Sequence, residues 1–300
     1  MQVVSHRSPP QRVVATVGEA IDRCRAALEA AAVHFGHGTD NARDEAAELV
    51  FFAAGIAHAR GARAYRNPLE PAVRRRIGRL LRRRIEQRMP LPYLTRRAFF
   101  AGMELYVDRR VLVPRSPIAE LAADRFAPWI APRRVRRILD LGTGCGAIAL
   151  ACARAFPRAR VDALDVSPAA LAVCRRNARK LGLADRLDVL QSDHFAAVAG
   201  RRYDIIVSNP PYVGRKELRD LPPEYHHEPQ IGLAAGADGL ASVRAILAGA
   251  GAHLDELGIL VVEVGNTQRM LLRAFPRTRF VWPRFTIGGG GVFLLRARDL

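Results

Sequence analysis

The stretch RILDLGTGCGAIAL, residues 137–150, joins two short apolar runs through three closely spaced glycines. The first run has the length and composition of a buried strand, and the second has the composition of a helix. Gly142, Gly144 and Gly146 allow a tight bend after the strand and a close approach of a ligand to the backbone. A helix that begins after such a bend offers unpaired N–H groups. The stretch therefore predicts a strand, a ligand-binding loop and a helix in succession.

Strand-like and helix-like segments alternate along the chain from residue 134 onward. Strands are predicted at VRRILDLG, RVDALDV, RLDVLQS, YDIIVSN, GILVVEVG and GVFLLRA, and helices at AIALACARAF, SPAALAVCRRNARKLG, GLASVRAILAGAGAHL and TQRMLLRAF. This alternation predicts an α/β fold with a doubly wound, mostly parallel sheet. Ligands of such open sheets bind at the carboxyl ends of the strands. Residues 212–237 are longer than an ordinary connection, and we expect them to carry function or to cover a site.

The chain before this region has a different pattern. Residues 1–90 are predicted to form a helical domain, because apolar residues recur there at helical spacing. A linking β-hairpin is predicted within residues 91–113, which are rich in aromatic residues and valine. The alternating segments belong to a domain predicted to span residues 114–300. A helix near the start of that domain is expected to have Ser116 as its N-cap and Pro117 at its first position.

Positive charge dominates the composition. The formal net charge is +18, and residues 60–97 contain 13 arginines against two acidic residues. Nucleic acid, or a protein that works on nucleic acid, is the natural partner for such a chain. Only two of the 47 basic residues are lysines, so a genome-wide composition bias is an equally good explanation. The arginine-rich helix within residues 60–97 is thus either a solvated face or a docking surface.

Cysteine usage and hydropathy exclude several classes of protein. The four cysteines form no C-x-x-C pair, which favours reduced thiols without a metal cluster. No apolar run approaches the roughly 20 residues that a membrane helix needs. The first 14 residues, MQVVSHRSPPQRVV, lack the apolar core of a signal peptide. We therefore expect a cytoplasmic protein with neither a membrane partner nor a metal site.

The glycine loop fits two kinds of cofactor. Gly142, Gly144 and Ala147 also satisfy the dinucleotide fingerprint G-x-G-x-x-G/A. Asp165 ends the second strand, where its carboxylate could accept hydrogen bonds from both hydroxyls of a ribose. The alternative role for Asp165 is a negative charge at the N-terminus of the helix that Ser167 caps. These residues alone leave a nicotinamide cofactor and a sulfonium cofactor open.

The resemblance of the glycine loop to a known motif favours the sulfonium cofactor. Asp140-Leu141-Gly142-Thr143-Gly144-Cys145-Gly146 resembles motif I of the class I methyltransferases, which implies a Rossmann-like fold and S-adenosyl-L-methionine as the cofactor. SDHF, after the third strand, supplies Asp193 to reach the adenine amino group, and His194 and Phe195 to pack on the purine. A histidine of a surface loop is the alternative interpretation of His194. The expected cofactor-binding residues are Gly142, Thr143, Gly144, Cys145, Gly146, Asp165, Asp193, His194 and Asn209.

The fourth strand ends in Asn209-Pro210-Pro211-Tyr212, because proline cannot continue the pairing of a sheet. NPPY resembles the signature of methyltransferases that act on planar nitrogens, among them adenine, cytosine and glutamine-amide enzymes. Such a nitrogen is a poor nucleophile, since its lone pair is delocalised. The Asn209 carbonyl can accept one N–H of the acceptor nitrogen, and a backbone carbonyl of the proline pair can accept the other. With Tyr212 packed against the planar amide, these four residues are the predicted catalytic set.

Two further segments narrow the resemblance to one family of methyltransferases and to one branch of it. PRSPIAEL and LPPEYHHEPQIGLAAGADGL are similar to the branch of the protein-glutamine N5-methyltransferases that methylates the third protein of the large ribosomal subunit. Release-factor enzymes of that family typically carry PRPETE instead. The implied partner is a large-subunit ribosomal protein, free or within an rRNA-containing assembly intermediate. His226, His227 and Glu228 are interpreted as structural or lid residues rather than as a base.

Other functions share part of this pattern. An adenine-N6 nucleic-acid methyltransferase would share motif I and NPPY, and would use the arginines to grip nucleic acid. A non-catalytic RNA-binding assembly factor could keep the fold, although Asp165, Asp193 and Asn209 are intact. A nicotinamide dehydrogenase would leave NPPY without an explanation.

Overall fold

The structure is a computed structural model that describes residues 15–286 and 290–300. The chain divides into two compact units, Met1–Leu91 and Pro92–Leu300. The N-terminal stretch considered above for a signal peptide, residues 1–14, lies outside the described residues. Within the described part, no helix combines the length and the apolar character needed to cross a membrane.

The described part of the first unit is helical, as predicted. Thr16 caps the first helix by accepting a hydrogen bond from the backbone N–H of Glu19, whose side chain accepts from Thr16 in return. Asn41 caps the second helix through the N–H of Asp44. The helices are α1 (Val17–Ala30), α2 (Ala42–Ala54), the short α3 (Gly61–Ala64) and the arginine-rich α4 (Pro71–Glu86).

Helix α4 buries one of its arginines. Ile77 and Leu80 are buried, as their spacing predicts, but Arg84 is also only 1% exposed. Its Nε lies 2.5 Å from Glu45 Oε1, and its Nη2 donates to the His34 carbonyl oxygen at 2.6 Å. The pairing satisfies a charge that would otherwise be very costly to bury. Six other arginines of this helix are exposed: Arg74, Arg75, Arg76, Arg79, Arg82 and Arg83.

The second unit contains the predicted doubly wound sheet. The six strands lie in the order β5-β4-β3-β6-β7-β8, and all neighbours are parallel except the β7–β8 pair. The strands are β3 (Arg137–Leu141), β4 (Arg160–Asp165), β5 (Leu187–Gln191), β6 (Tyr203–Ser208), β7 (Leu254–Glu263) and β8 (Val292–Arg296). The helices are α5 (Leu91–Thr95), α6 (Ile118–Ala123), α7 (Ala147–Ala155), α8 (Pro168–Lys180), α9 (Arg215–Arg219), α10 (Ala241–His253) and α11 (Gln268–Ala274).

Two local predictions need correction, and the long connection after β6 has regular structure of its own. The hairpin is shorter than expected and consists of β1 (Ala98–Phe100) and β2 (Met103–Leu105). Helix α6 has Pro117 rather than Ser116 as its N-cap, because the Ser116 carbonyl first accepts the N–H of Ala119 in a tighter turn. The long connection after β6 is not structureless, since it contains α9 and two 3₁₀ turns, Pro223–His227 and Gln230–Gly232.

The centre of the sheet is apolar on both faces. Ile138 and Leu139 of β3, and Ile205, Ile206 and Val207 of β6, are fully buried. Such runs are typical of parallel strands that are covered by helices on both sides. The core therefore holds the carboxyl ends of the central strands in place.

Candidate active site

Strand register brings three loops to one edge of the sheet. Leu141, the last residue of β3, pairs with Leu164 of β4 and with Ser208 of β6. The chain therefore leaves all three strands at the same edge, where the structure has a cavity of about 360 Å³. The cavity is lined by residues 110–116, by the glycine loop, by Asp165, Asp193 and His194, by Asn209–Val213, and by Pro229 and residues 231–234.

The glycine loop leaves its backbone open to a ligand. Gly142, Gly144 and Gly146 have φ angles of +72°, +57° and +86°, in the region that favours glycine. A Cβ atom added to Gly142 or Gly144 would meet no described atom within 4 Å, whereas one added to Gly146 would lie 2.7 Å from Cys174 Sγ. The first two glycines thus expose backbone to the cavity, and the third permits close packing against α8.

Thr143 and Cys145, both predicted to bind the cofactor, use their polar groups to shape the loop. The Thr143 hydroxyl donates to Asp140 Oδ2 at 2.6 Å, and the Cys145 carbonyl accepts from Asn177 Nδ2 at 2.9 Å. Burial raises the pKa of Asp140 to about 7, against the lowering effect of its hydrogen bonds. The role of Asn177, a fully buried residue of α8, was not predicted.

Asp165 contacts both the glycine loop and the N-terminus of α8. Its Oδ2 accepts the N–H of Gly144 at 2.9 Å, and its Oδ1 accepts the N–H of Ser167, the N-cap of α8, at 2.9 Å. Burial raises the pKa of this carboxyl above its usual value, although those hydrogen bonds lower it. Each oxygen retains a lone pair, so the carboxylate can still accept hydrogen bonds from a ligand in the cavity.

The segment after β5 places two of its three predicted residues at the cavity. Asp193 and His194 line it, and His194 Nδ1 lies 2.7 Å from Asp193 Oδ1. The prediction for Phe195 is wrong, because its ring stacks on His253 with centroids 4.6 Å apart and packs against Gly249. The turn at His194, whose φ is +46°, separates the residues that line the cavity from Phe195, which is partly buried against α10.

Asn209, Pro210, Pro211 and Tyr212 all line the cavity. Asn209 is half-buried, and none of the described residues hydrogen-bonds to its side-chain amide. The Tyr212 hydroxyl donates to Glu263 Oε1 at 3.3 Å, and a Cβ at Gly265 would lie only 2.5 Å from its ring. The motif thus presents to the cavity the Asn209 side-chain amide, which no described residue hydrogen-bonds, beside Tyr212. The Tyr212 ring packs against Gly265 on its other side.

Sequence reasoning missed Glu263, the last residue of β7. The side chain is 4% exposed, and its Oε2 accepts a hydrogen bond from Ser116 Oγ at 2.5 Å. Burial raises the pKa of Glu263 to about 7, while Ser116, Tyr212 and Arg115 lower it. A carboxylate directly after the apolar run 259–262 was the available signal, since an unpaired one is almost never buried.

A second buried carboxylate holds the segment before α6. Glu228 accepts hydrogen bonds from Arg115 at 2.7 and 2.6 Å and from the N–H of Val113 at 3.0 Å. His227 Nδ1 lies 3.0 Å from Arg109 Nη2. These contacts agree with the interpretation of this loop as structural, because Glu228 is committed to a bidentate ion pair.

The described residues offer few other reactive groups. All four cysteines are buried and are free thiols. Within residues 15–286 and 290–300, no group of three or more His, Cys, Asp or Glu side chains is arranged to hold a metal ion.

Known proteins with similar sequences point to the same chemistry. Residues 121–221 match the Methyltransferase small domain family. A ribosomal protein uL3 glutamine methyltransferase of Xanthomonas campestris pv. campestris is 44% identical over 270 residues, which cover 90% of this chain and 87% of the relative. A protein of the same description from Xylella fastidiosa (strain Temecula1) is 45% identical over 90% of this chain and 86% of its own length.

Solved structures are more distant. The T. thermophilus 16S rRNA N2 G1207 methyltransferase, in complex with AdoMet and guanosine, is 21% identical with a TM-score of 0.44, over 67% of this chain and 49% of its own. The sequence relatives, by contrast, extend over nine-tenths of the chain and confirm the predicted class I methyltransferase fold and its cofactor, S-adenosylmethionine. The chain belongs to the ribosomal protein uL3 glutamine methyltransferase family and is an S-adenosylmethionine-dependent methyltransferase.

Proposed function

We propose that this enzyme transfers a methyl group from S-adenosylmethionine to the side-chain amide nitrogen of a glutamine in ribosomal protein uL3 of the large subunit. The names of its relatives state a uL3 glutamine methyltransferase for those proteins. The observation that carries the proposal is the position of Asn209–Tyr212 on the wall of the cavity that the glycine loop also lines. A planar amide in that cavity would meet a hydrogen-bond acceptor and an aromatic ring together.

The cofactor half of the cavity suits an adenosyl group. The open backbone at Gly142 and Gly144 admits the ligand closely, and Asp165 retains acceptor capacity for ribose hydroxyls. Asp193 and His194 lie where the adenine would be bound under this proposal. When bound, S-adenosylmethionine supplies an electrophilic methyl group on a positively charged sulfur.

The acceptor half of the cavity orients the amide. The Asn209 side-chain carbonyl accepts one N–H of the glutamine, and a backbone carbonyl of the Pro210–Pro211 pair accepts the other. Since proline fixes φ, that carbonyl has little freedom to turn away. Tyr212 packs against the amide plane and excludes water. Positioning of this kind supplies up to about 7–11 kcal/mol in favourable cases, and no strong base is needed because the methylated nitrogen loses its proton late.

The proposal also assigns a separate role to each domain of the chain. Residues 1–90 recognise the substrate, and residues 114–300 carry out methyl transfer. Residues 91–113 link these two domains. The exposed arginines of α4 suit a uL3 substrate held in an rRNA-containing assembly intermediate, because guanidinium groups pair well with phosphates. Because ribosomal proteins are made in the cytoplasm, the proposal includes a cytoplasmic location.

The reaction is tested with labelled cofactor and two acceptors, purified uL3 and duplex DNA. Mass spectrometry of uL3 peptides should show one methyl group on a glutamine side chain, and Asn209→Ala should abolish most of it. Label on adenine instead would favour the nucleic-acid alternative, and label on neither acceptor would refute the assignment.

The recognition role of α4 is tested by charge reversal to glutamate. The variant changes Arg74, Arg75, Arg82 and Arg83, and the matched control changes four exposed arginines of the second unit, Arg133, Arg158, Arg277 and Arg279. We expect the α4 variant to raise the KM for the ribosomal substrate and to leave kcat on a short glutamine peptide unchanged. An unchanged KM, or an equal rise in the control, would contradict this role.

A further inference from the structure

We infer that Glu263 is a positioning residue for methyl transfer, which acts through Tyr212 and Ser116 without touching the substrate. The inference rests on the proposed function, because it concerns the geometry of the amide-binding half of the cavity. It adds a residue from the last parallel strand to a site otherwise built from motif I, NPPY and residues 110–116.

The carboxyl group joins two walls of the cavity. Its Oε2 lies 2.5 Å from Ser116 Oγ, and its Oε1 lies 3.3 Å from the Tyr212 hydroxyl. Ser116 and Tyr212 both line the cavity, whereas Glu263 does not. The two hydroxyls belong to segments 96 positions apart in the chain, as their residue numbers give. One buried side chain therefore sets the distance between the NPPY loop and the segment before α6.

The support for this side chain is rigid. Glu263 pairs with Val292 in the β7–β8 ladder, and the Val264 N–H donates to the Gly291 carbonyl at 2.6 Å. Gly265, directly beyond, lies so close to Gly291, the residue before β8, that a Cβ at Gly291 would lie 2.3 Å from the Gly265 carbonyl oxygen. The Tyr212 ring packs against Gly265 as well. The ring therefore cannot move toward the turn that follows β7 without displacing that turn.

The energetics favour a functional explanation. A carboxyl group that is 4% exposed loses most of its hydration, and two hydroxyl partners recover only part of that cost. An apolar residue would fit the pattern of the preceding residues 258–262, all buried, at lower cost. Local losses of stability of this kind are expected at functional sites, where geometry matters more than packing.

The kinetic test compares Glu263→Ala, Glu263→Gln and a matched control, Glu256→Ala. Glu256 lies on the same strand but is exposed, and none of the described residues hydrogen-bonds to its side chain. We expect Glu263→Ala to lower kcat for uL3 by about tenfold or more, with the Kd for S-adenosylmethionine within about twofold of wild type. Glu263→Gln, which keeps hydrogen-bonding capacity, should restore most of kcat, and Glu256→Ala should match wild type.

A second measurement needs no methyl acceptor. Hydrogen exchange of the free full-length enzyme, read by mass spectrometry, should show faster exchange in Glu263→Ala for peptides covering residues 111–119 and 207–214. Peptides covering residues 142–146 should be unaffected. A kcat within twofold of wild type, or exchange that rises equally throughout residues 92–300, would overturn the inference. If wild-type enzyme fails to methylate uL3, the proposed function fails, and the exchange pattern alone still decides the role of Glu263.

Discussion

Replacement of Asn209 by alanine separates catalysis from folding in this enzyme. The side chain is half-buried at the end of β6, and no described residue hydrogen-bonds to its amide. The substitution therefore leaves no group of the protein unpaired, and the free energy of unfolding should change by no more than about 1 kcal/mol. The whole effect should fall on the bound substrate.

The magnitude follows from two losses. One neutral hydrogen bond to the glutamine amide contributes about 1 kcal/mol, which is about fivefold in rate. Loss of the orientation that this bond imposes adds a further factor of about 20, or about 1.8 kcal/mol, a small share of what positioning can supply. We therefore expect kcat to fall by about a hundredfold or more, while the Kd for S-adenosylmethionine changes little.

The assay combines steady-state kinetics on uL3, calorimetric titration with the cofactor, and chemical unfolding. Asn177→Ala is the matched control, because Asn177 is fully buried and bonds to Tyr106 N and O and to the Cys145 carbonyl. This control should lower the free energy of unfolding by about 3 kcal/mol, since it leaves one buried and two partly buried backbone groups unpaired. It should also weaken cofactor binding, because Cys145 lies in the glycine loop.

Two results would refute this reasoning. An Asn209→Ala enzyme with kcat within tenfold of wild type would show that the amide does not orient the substrate. A loss of stability as large as that of Asn177→Ala would show that the side chain has a structural partner in the folded protein.

Two further predictions concern stability. The raised pKa of Glu263, about 7 in the folded protein against its ordinary value of 4.5, means that the folded state binds more protons than the unfolded state between those values. Glu263 therefore lowers the free energy of unfolding as pH rises from 4.5 to 7, by up to about 3 kcal/mol, and Asp140 acts in the same direction. Glu263→Gln should accordingly be more stable than wild type at pH 8 and no more stable at pH 4, as urea unfolding at both pH values can show; equal differences at the two pH values would contradict the assignment. Glu45→Gln should lower the free energy of unfolding by about 3–5 kcal/mol, because it leaves the charge of Arg84 buried with a weaker partner. The control Glu29→Gln, in an exposed pair, should cost less than about 1 kcal/mol, and similar losses in both variants would contradict the importance of burial.

Much of the site could be predicted because its signals are local. Three glycines after a strand, an aspartate at the end of the next strand, and NPPY at the end of another are each visible within a few residues. A parallel sheet places the carboxyl ends of its strands at one edge, so these separate signals predict a single site without any knowledge of side-chain contacts. The order of the strands and the register of Leu141 with Ser208 agree with that expectation.

The sequence pattern did not predict which way each residue of the turn after β5 faces. Asp193, His194 and Phe195 are consecutive, yet the first two line the cavity and Phe195 stacks on His253 of α10. The positive φ of His194 reverses the chain between them, and no periodicity in the sequence reports a single backbone angle. The role of Phe195 therefore depended on where α10 packs.

The sequence by itself determined the fold class, the glycine loop and the motif for the acceptor nitrogen, because each depends on residues that are neighbours in the chain. Only the tertiary structure decided which polar side chains support them. Ser116 meets Glu263 across 147 positions, Asn177 meets Tyr106 across 71, and Arg84 meets Glu45 across 39. A buried hydrogen bond of this kind requires two partners that packing alone brings together, and neither partner's place in the sequence identifies the other.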